Sequence, residues 1–297
     1  MDVDHVLAYL GFVEERHRVW ERRQQGAPQP WTSDPIIAGR KFTNVFRVLD
    51  PGSQYALRLL DDAATPLDAL ARAFLYRFTN RPETWEYLRL HLRQWPTASQ
   101  VMGPEVMELL LQLRGREGAQ VFSGAYIIMP NPGEPGVDKV KAVVRKTRVM
   151  LTIAADAYLA ATTHADRVAA LRTVPAVGDF MAQQVVTDMG YSRHGAYDEN
   201  ESVVLGPGSR AGLKHLGLPQ RVESVAQIRN WLLAQPDCPR LQLSNGATRP
   251  PSLMDVQNTL CEWSKYARLI GKPAPAPYRP AHPGPQPTPF YPEHWSN

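Results

Sequence analysis

His164-Ala165-Asp166-Arg167-Val168-Ala169-Ala170-Leu171-Arg172-Thr173-Val174-Pro175-Ala176-Val177-Gly178-Asp179-Phe180-Met181-Ala182-Gln183-Gln184-Val185-Val186-Thr187-Asp188-Met189-Gly190 is the stretch whose reading decides the fold. An apolar-periodic run ends at Leu171, Val174-Pro175-Ala176-Val177-Gly178 interrupts it, and a second run extends from Asp179 to Gly190. The pattern is that of a helix-hairpin-helix motif. A tight glycine-containing turn leaves amide N–H groups at the start of the second helix, and such groups bind a phosphate without reading base sequence. Gly178 admits a phosphate to the backbone, and Ala182 is small enough for the two helices to cross closely. Val177 and Gly178 are therefore the candidate DNA-binding residues. The competing reading is an ordinary helical hairpin with Asp179 as N-cap.

Outward from this stretch the chain reads as mainly α. Helical patterns cover 1–24, 53–63, 66–79, 82–94, 104–115, 138–163, 164–173, 179–190, 207–216, 224–235 and 252–270. The first places Val6, Leu7, Leu10, Val13 and His17 on one face; the last opens with a Ser252-x-x-Asp255 capping box and lines up Val256, Leu260, Trp263 and Ala267. At most a small β-hairpin is expected: Val121–Met129 is the best strand candidate, followed by the loop 130–136. Residues 1–271 form the body, with two lobes allowed. The proline-rich tail 272–297, carrying Tyr278, Phe290, Tyr291 and Trp295, is expected to lie partly across it.

The 297 residues are 43% hydrophobic, which excludes wholesale disorder and suffices for one large core or two modest ones. A formal charge of +4 and an isoelectric point near 9.1 agree with a polyanionic partner without requiring one. Cys238 and Cys261 fit neither a disulfide framework nor a metal site, and the eight histidines lack zinc spacing, so no structural metal is expected. Neither a signal peptide nor a membrane span is evident, and the expected compartment is the cytoplasm.

Two further motifs carry chemistry. Asp198, in Ala196-Tyr197-Asp198-Glu199, follows Gly178 by 20 residues, matching the distance at which glycosylases with this hairpin place a catalytic aspartate; a loop-capping carboxylate is the alternative. Those hairpins usually carry a glycine where this chain has Ala176, which would weaken or reshape the phosphate contact. Gly206-Pro207-Gly208-Ser209-Arg210-Ala211-Gly212-Leu213-Lys214 places glycines, a hydroxyl and cations at a predicted helix start, either an anion cradle or a turn capped by Ser209. It lacks the full Walker pattern, so an ATP site is not expected.

With these motifs, Phe42-Thr43-Asn44-Val45-Phe46-Arg47, Tyr76-Arg77-Phe78-Thr79-Asn80-Arg81, Phe122-Ser123-Gly124-Ala125-Tyr126 and Cys261-Glu262-Trp263-Ser264-Lys265-Tyr266 complete a set of blocks spanning about 31–270. The set resembles the phage alpha-glutamyl/putrescinyl-thymine pyrophosphorylase family, the amine or amino acid:DNA transferases of thymine hypermodification. That family is similar to the helical domain of 5-hydroxymethyluracil DNA kinases and to helix-hairpin-helix DNA glycosylases.

The resemblance implies a helical, glycosylase-like fold and a reaction on double-stranded phage DNA, in the bacterial host cytoplasm. An amine or amino acid of the putrescine, glycine or glutamate type would displace pyrophosphate from 5-(pyrophosphoryloxymethyl)uracil. Asp198, with Glu262 and Lys265, is the catalytic candidate, since an ammonium donor must lose a proton before it attacks. Asn44, Arg47, Arg77, Asn80, Arg81, Gly208, Ser209, Arg210, Lys214 and Tyr266 are the candidates for holding base and pyrophosphate. Each also has a plainer reading, Asn44 and Asn80 as turn caps and Glu262–Lys265 as an exposed intrahelical ion pair. No cofactor is required, with room left for a divalent metal on the pyrophosphate. The rivals are a DNA N-glycosylase acting on a modified pyrimidine, with Asp198 stabilising a cationic sugar, and a non-catalytic helical DNA-binding module. The donor amine and the oligomeric state are not legible.

Overall fold

The computed structural model describes residues 3–124, 136–195, 197–273, 275–276, 278 and 287–295. The helices are α1 Val3–Gln24, α2 Pro35–Gly39, α3 Pro51–Asp61, α4 Pro66–Thr79, α5 Pro82–Leu92, α6 Ala98–Met102, α7 Glu105–Arg114, α8 Lys139–Ile153, α9 Ala155–Ala160, α10 His164–Arg172, α11 Asp179–Tyr191, α12 Pro207–His215, α13 Val222–Leu233 and α14 Leu253–Ala267. Among the described residues the sheet content is one antiparallel pair, β1 Leu241–Gln242 with β2 Thr248–Arg249. The fold is thus mainly α with a minimal hairpin. Among the described residues no helix is long and apolar enough to cross a membrane.

Local chemistry sets many helix starts. α2, α4, α5 and α12 carry proline in the first turn, where the missing N–H costs nothing. Asp34, Thr65, Asp138, Thr163 and Ser252 accept hydrogen bonds from first-turn amides. At α14 the expected capping box is complete: Ser252 Oγ accepts from Asp255 N–H at 3.1 Å, and Asp255 Oδ2 from Ser252 N–H at 2.9 Å.

The chain divides into two compact units, Met1–Asp50 with Ser202–Tyr291, and Pro51–Glu201 with Pro292–Trp295. The first is centred on aromatic side chains from α1 and α14: Tyr9 and Trp263 meet edge-on at 5.7 Å, and Phe12 contacts Phe42 at 5.3 Å and Tyr266 at 4.9 Å. In the same unit α12 crosses α14 closely. A Cβ on Gly212 would overlap the Leu260 carbonyl oxygen, and one on Gly208 would lie 3.0 Å from Cys261 Sγ. The second unit has a continuous core in which Leu70, Phe74 and Trp85 pack with Val144, Leu171 and Val185.

Four expectations change. The run 138–163 is not one helix but α8 and α9, broken at Ala154. Ala154 and Ala155 are strong helix formers, and both are buried in the core of their unit. The α1 stripe runs through Tyr9, Phe12, Val13, Arg16 and His17, leaving Leu7 exposed, because the aromatics seat the helix on Trp263. The short α2 and α6 were not legible as helices; each is little more than one turn behind a cap. The strand proposed for Val121–Met129 is not formed over 121–124, and 125–129 and most of the loop 130–136 lie outside the described residues. From the tail, Tyr278 N–H bonds the Ala38 carbonyl at 2.8 Å, and the Trp295 ring meets Tyr191 at 5.7 Å.

Candidate functional site

The hairpin between α10 and α11 belongs to the second unit. Val174 N–H returns to Leu171 C=O at 3.2 Å and Val177 N–H to Val174 C=O at 3.1 Å, closing the turn. Val177 is buried and anchors it. Gly178, not Asp179, is the N-cap of α11, and no side chain caps the helix there. Asp179 instead pairs with Arg172 at 2.8 Å on the surface. No atom lies within 4 Å of where a Gly178 Cβ would stand, so the approach to the backbone is open. Ala176 takes φ +58°, the left-handed conformation that the usual glycine of such hairpins adopts freely. Holding that conformation with a Cβ carries a local conformational cost, and the methyl group is exposed.

A residue not anticipated from sequence also reaches this turn. Lys146 of α8 is buried at 1% exposure, and its Nζ lies 3.4 Å from the Ala176 carbonyl oxygen and 5.5 Å from the centre of the Phe78 ring. Burial pushes its pKa down. Thirty positions separate Lys146 from Ala176 in the chain, and no sequence pattern links them.

Beyond α11, the loop carrying Asp198 is fixed by its alternate residues. The Tyr197 ring fills the space that a side chain on Gly190 would occupy, and its hydroxyl donates to Thr187 Oγ1 at 3.2 Å. Buried Glu199 accepts from the Tyr191 hydroxyl at 2.7 Å, and Glu201 from the His164 N–H at 2.9 Å. Between these anchors Asp198 is exposed, with Oδ1 accepting from Asn200 N–H and Nδ2 at 2.9 Å each. Its carboxylate closes the local turn and still faces solvent.

The second block is more constrained. Arg77 and Asp188 form a buried, two-pronged ion pair between α4 and α11. Arg77 is thus committed to holding these helices together, and the expectation that it grips pyrophosphate is corrected. Asn80 ends α4 in a left-handed conformation, φ 44°, and donates to Ser123 Oγ at 3.2 Å, which is the capping role. Arg81 is accessible, bonded to Gln120 at 3.1 Å and 3.5 Å from Glu83.

In the first unit, the loop before α3 folds onto α14. Asn44 is buried: its N–H donates to Asp50 at 2.8 Å, its Nδ2 to Leu49 C=O at 2.7 Å, and its Oδ1 accepts from Arg16 at 2.7 Å. Arg47 is buried, and its N–H donates to Asp255 at 2.8 Å. Glu262 is buried, not part of an exposed pair as the plainer reading had it; it accepts from Lys265 at 2.7 Å and from Thr43 N–H at 3.2 Å. Lys265 is exposed, and the Tyr266 hydroxyl donates to Asp34 at 2.7 Å. Burial lifts Asp50 to about 7 and lowers Arg16 to about 10. Arg16 and Asp34 escaped the sequence reading because nothing in their spacing ties them to α14.

The Gly206–Lys214 segment is the start of α12, as expected, but its glycines face α14. Gly208 is small for the sake of the helix crossing, which corrects its assignment to an anion cradle. Ser209 is buried, donating to Gly206 C=O at 3.0 Å and accepting from Gln257 at 3.3 Å. Arg210 bonds the Leu205 carbonyl at 3.1 Å and the Gln220 carbonyl at 3.3 Å, and Lys214 is exposed. Among the described residues no group of three or more His, Cys, Asp or Glu side chains is placed to hold a metal ion.

The helical domain of 5-hmdU DNA kinase matches this chain over residues 4–273, taking in the hairpin, both candidate carboxylates and α12. The chain belongs to the 5-hmdU DNA kinase helical-domain family. A relative described as 5-hmdU DNA kinase, from Bacillus phage SP10, is 25% identical over 296 residues, covering 87% of this chain and 44% of its own length. The chain thus spans less than half of that relative. No solved structure matches. In this chain the hairpin leaves backbone open in the second unit, and Glu262 pairs with Lys265 in the first.

Proposed function

We propose that this chain modifies phage DNA at a base derived from 5-hydroxymethyluracil, transferring an amine or amino acid onto 5-(pyrophosphoryloxymethyl)uracil. Membership of the 5-hmdU DNA kinase helical-domain family over residues 4–273 is the observation that carries the reading. The hairpin supplies the phosphate contact with double-stranded DNA through the open start of α11. Asp198, displayed by an anchored loop, takes a proton from the ammonium donor; the freed nitrogen lone pair attacks the methylene carbon as the C–O bond breaks, and pyrophosphate leaves with the bonding electrons. Arg81, in the same unit as Asp198, is an accessible cation for the leaving group. Glu262 is the second candidate base.

The test is pyrophosphate release from pyrophosphorylated DNA with and without a panel of amines. Release that depends on amine, is lost in Asp198→Asn by on the order of 100-fold and leaves no abasic sites is expected. Abasic sites with free base would instead place the chain among the N-glycosylases. One observation favours a second reading, a DNA-binding module without catalysis of its own: the relative is a kinase more than twice the length of the matched segment. Tight DNA binding without product from any amine would select it.

A further inference from the structure

We propose that His164 is a proton-operated latch on the loop that carries Asp198: its neutral ring seats Tyr197, and its protonated ring releases it. The latch belongs to the loop itself, and its bearing on catalysis rests on the reading that Asp198 is the base.

Two anchors of this loop meet at one residue. The His164 ring packs against the Tyr197 ring at 5.1 Å, and the His164 backbone N–H donates to Glu201 Oε1 at 2.9 Å. The same Tyr197 ring is fitted closely over Gly190, where a Cβ would overlap it. Displacing the His164 ring therefore unseats Tyr197 and, one residue on, Asp198. The His164 side chain is buried at 1% exposure, and among the described residues neither Nδ1 nor Nε2 has a hydrogen-bond partner. A neutral imidazole carries one donor and one acceptor, and leaving both unmade in a dry site is costly. A phenylalanine would fill the space without that cost. What only the histidine adds is a proton taken up near neutrality. Burial opposes that proton and holds the pKa down; the Glu201 carboxylate, from the loop, pulls it up, and the Arg167 guanidinium, from α10 itself, pushes it down. Glu201 Oε1 is engaged by the backbone N–H and not by the ring, so a charged ring recovers hydration by leaving its seat.

The experiment is amide hydrogen exchange of the full chain at about pH 7.5 and about pH 5.5, expressed at each pH as protection over the unstructured peptide. The reporters are the His164, Asn200 and Glu201 amides, bonded to Glu201 Oε1, Asp198 Oδ1 and the Asp198 carbonyl; the Ala182 amide, bonded to the Gly178 carbonyl, is the control. The seated ring excludes the proton, so the stability of the closed loop is fully present above the free-histidine pKa of about 6.5 and is lost as pH falls below it. Between the two pH values the open fraction rises about tenfold, and the loop reporters lose that much protection while Ala182 keeps its own. His164→Phe and His164→Leu cannot take up the proton and should hold loop protection constant; either suffices if thermal melting shows the other unfolded. Glu201→Gln, which keeps an acceptor for the His164 N–H, should still respond. Loop protection that is constant with pH in the parent, or that falls as far in a folded His164 variant, overturns the latch. A loss that Ala182 shares in full is general loosening and overturns it as well. Full amine transfer by Asp198→Asn beside the expected exchange would remove the catalytic reading and leave the latch standing.

Discussion

Replacing Ala176 by glycine should stabilise the protein, against the usual cost of adding glycine to a chain. Ala176 holds φ +58°, where an L-residue with a Cβ is disfavoured by about 1–2 kcal/mol. Its methyl group is exposed, so no apolar burial is lost on its removal. Opposing the relief is the extra freedom glycine gives the unfolded chain, about 0.4–1 kcal/mol. The net is a gain of about 0.5–1 kcal/mol, or about 1–4 °C in the melting temperature of a unit of this size. Urea denaturation followed by circular dichroism would read it as a raised midpoint with unchanged slope. DNA affinity should stay within about twofold, because the backbone the phosphate meets is unchanged. A loss of 0.5 kcal/mol or more would refute the reasoning, since it would mean that the turn does not rely on the left-handed conformer.

Arg77→Met should lower stability by about 3–5 kcal/mol, because it strands the buried Asp188 carboxylate; the double variant with Asp188→Leu should recover most of that, and a mild single-variant effect in denaturation would reopen a binding role for Arg77. Gly212→Ala should cost about 2 kcal/mol or more through overlap with the Leu260 backbone, and Gly208→Ala less, since the Cys261 side chain can give way; equal melting temperatures for both would contradict the helix-crossing account. Asp50 has a folded pKa of about 7, above its unfolded value, so the folded state binds the proton more tightly. The stability it contributes is fully present below about pH 4 and lost as pH rises through 7. Asp50→Asn should therefore gain on the parent between pH 5 and pH 8 by about 2 kcal/mol, allowing for partial exposure, and a pH-independent difference in urea midpoints would exclude this titration.

Much of the fold is legible because it is written locally. The Ser252–Asp255 box, the proline starts of α4, α5 and α12, and the Val174–Gly178 punctuation each act within one turn of helix. The break at Ala154 and the true stripe of α1 are not written locally; the stripe answers to packing partners far away in sequence. The site divides along the same line. The open hairpin and the exposed Asp198 follow from their own segments, whereas Arg77 and Gly208 look like ligand-binding residues in sequence and are consumed by Asp188 and α14 in space. Lys146 is the converse case, silent in sequence and placed under the hairpin by α8.

The measurement that bears most directly on the account is mass spectrometry of nucleosides from pyrophosphorylated phage-type DNA after incubation with this chain and a panel of amines and amino acids. The account predicts a new nucleoside in which one donor is joined through nitrogen to the pyrimidine methylene, formed by the parent and lost in Asp198→Asn, with every glycosidic bond intact. Unchanged nucleosides from every donor, or free modified base over abasic DNA, would contradict it.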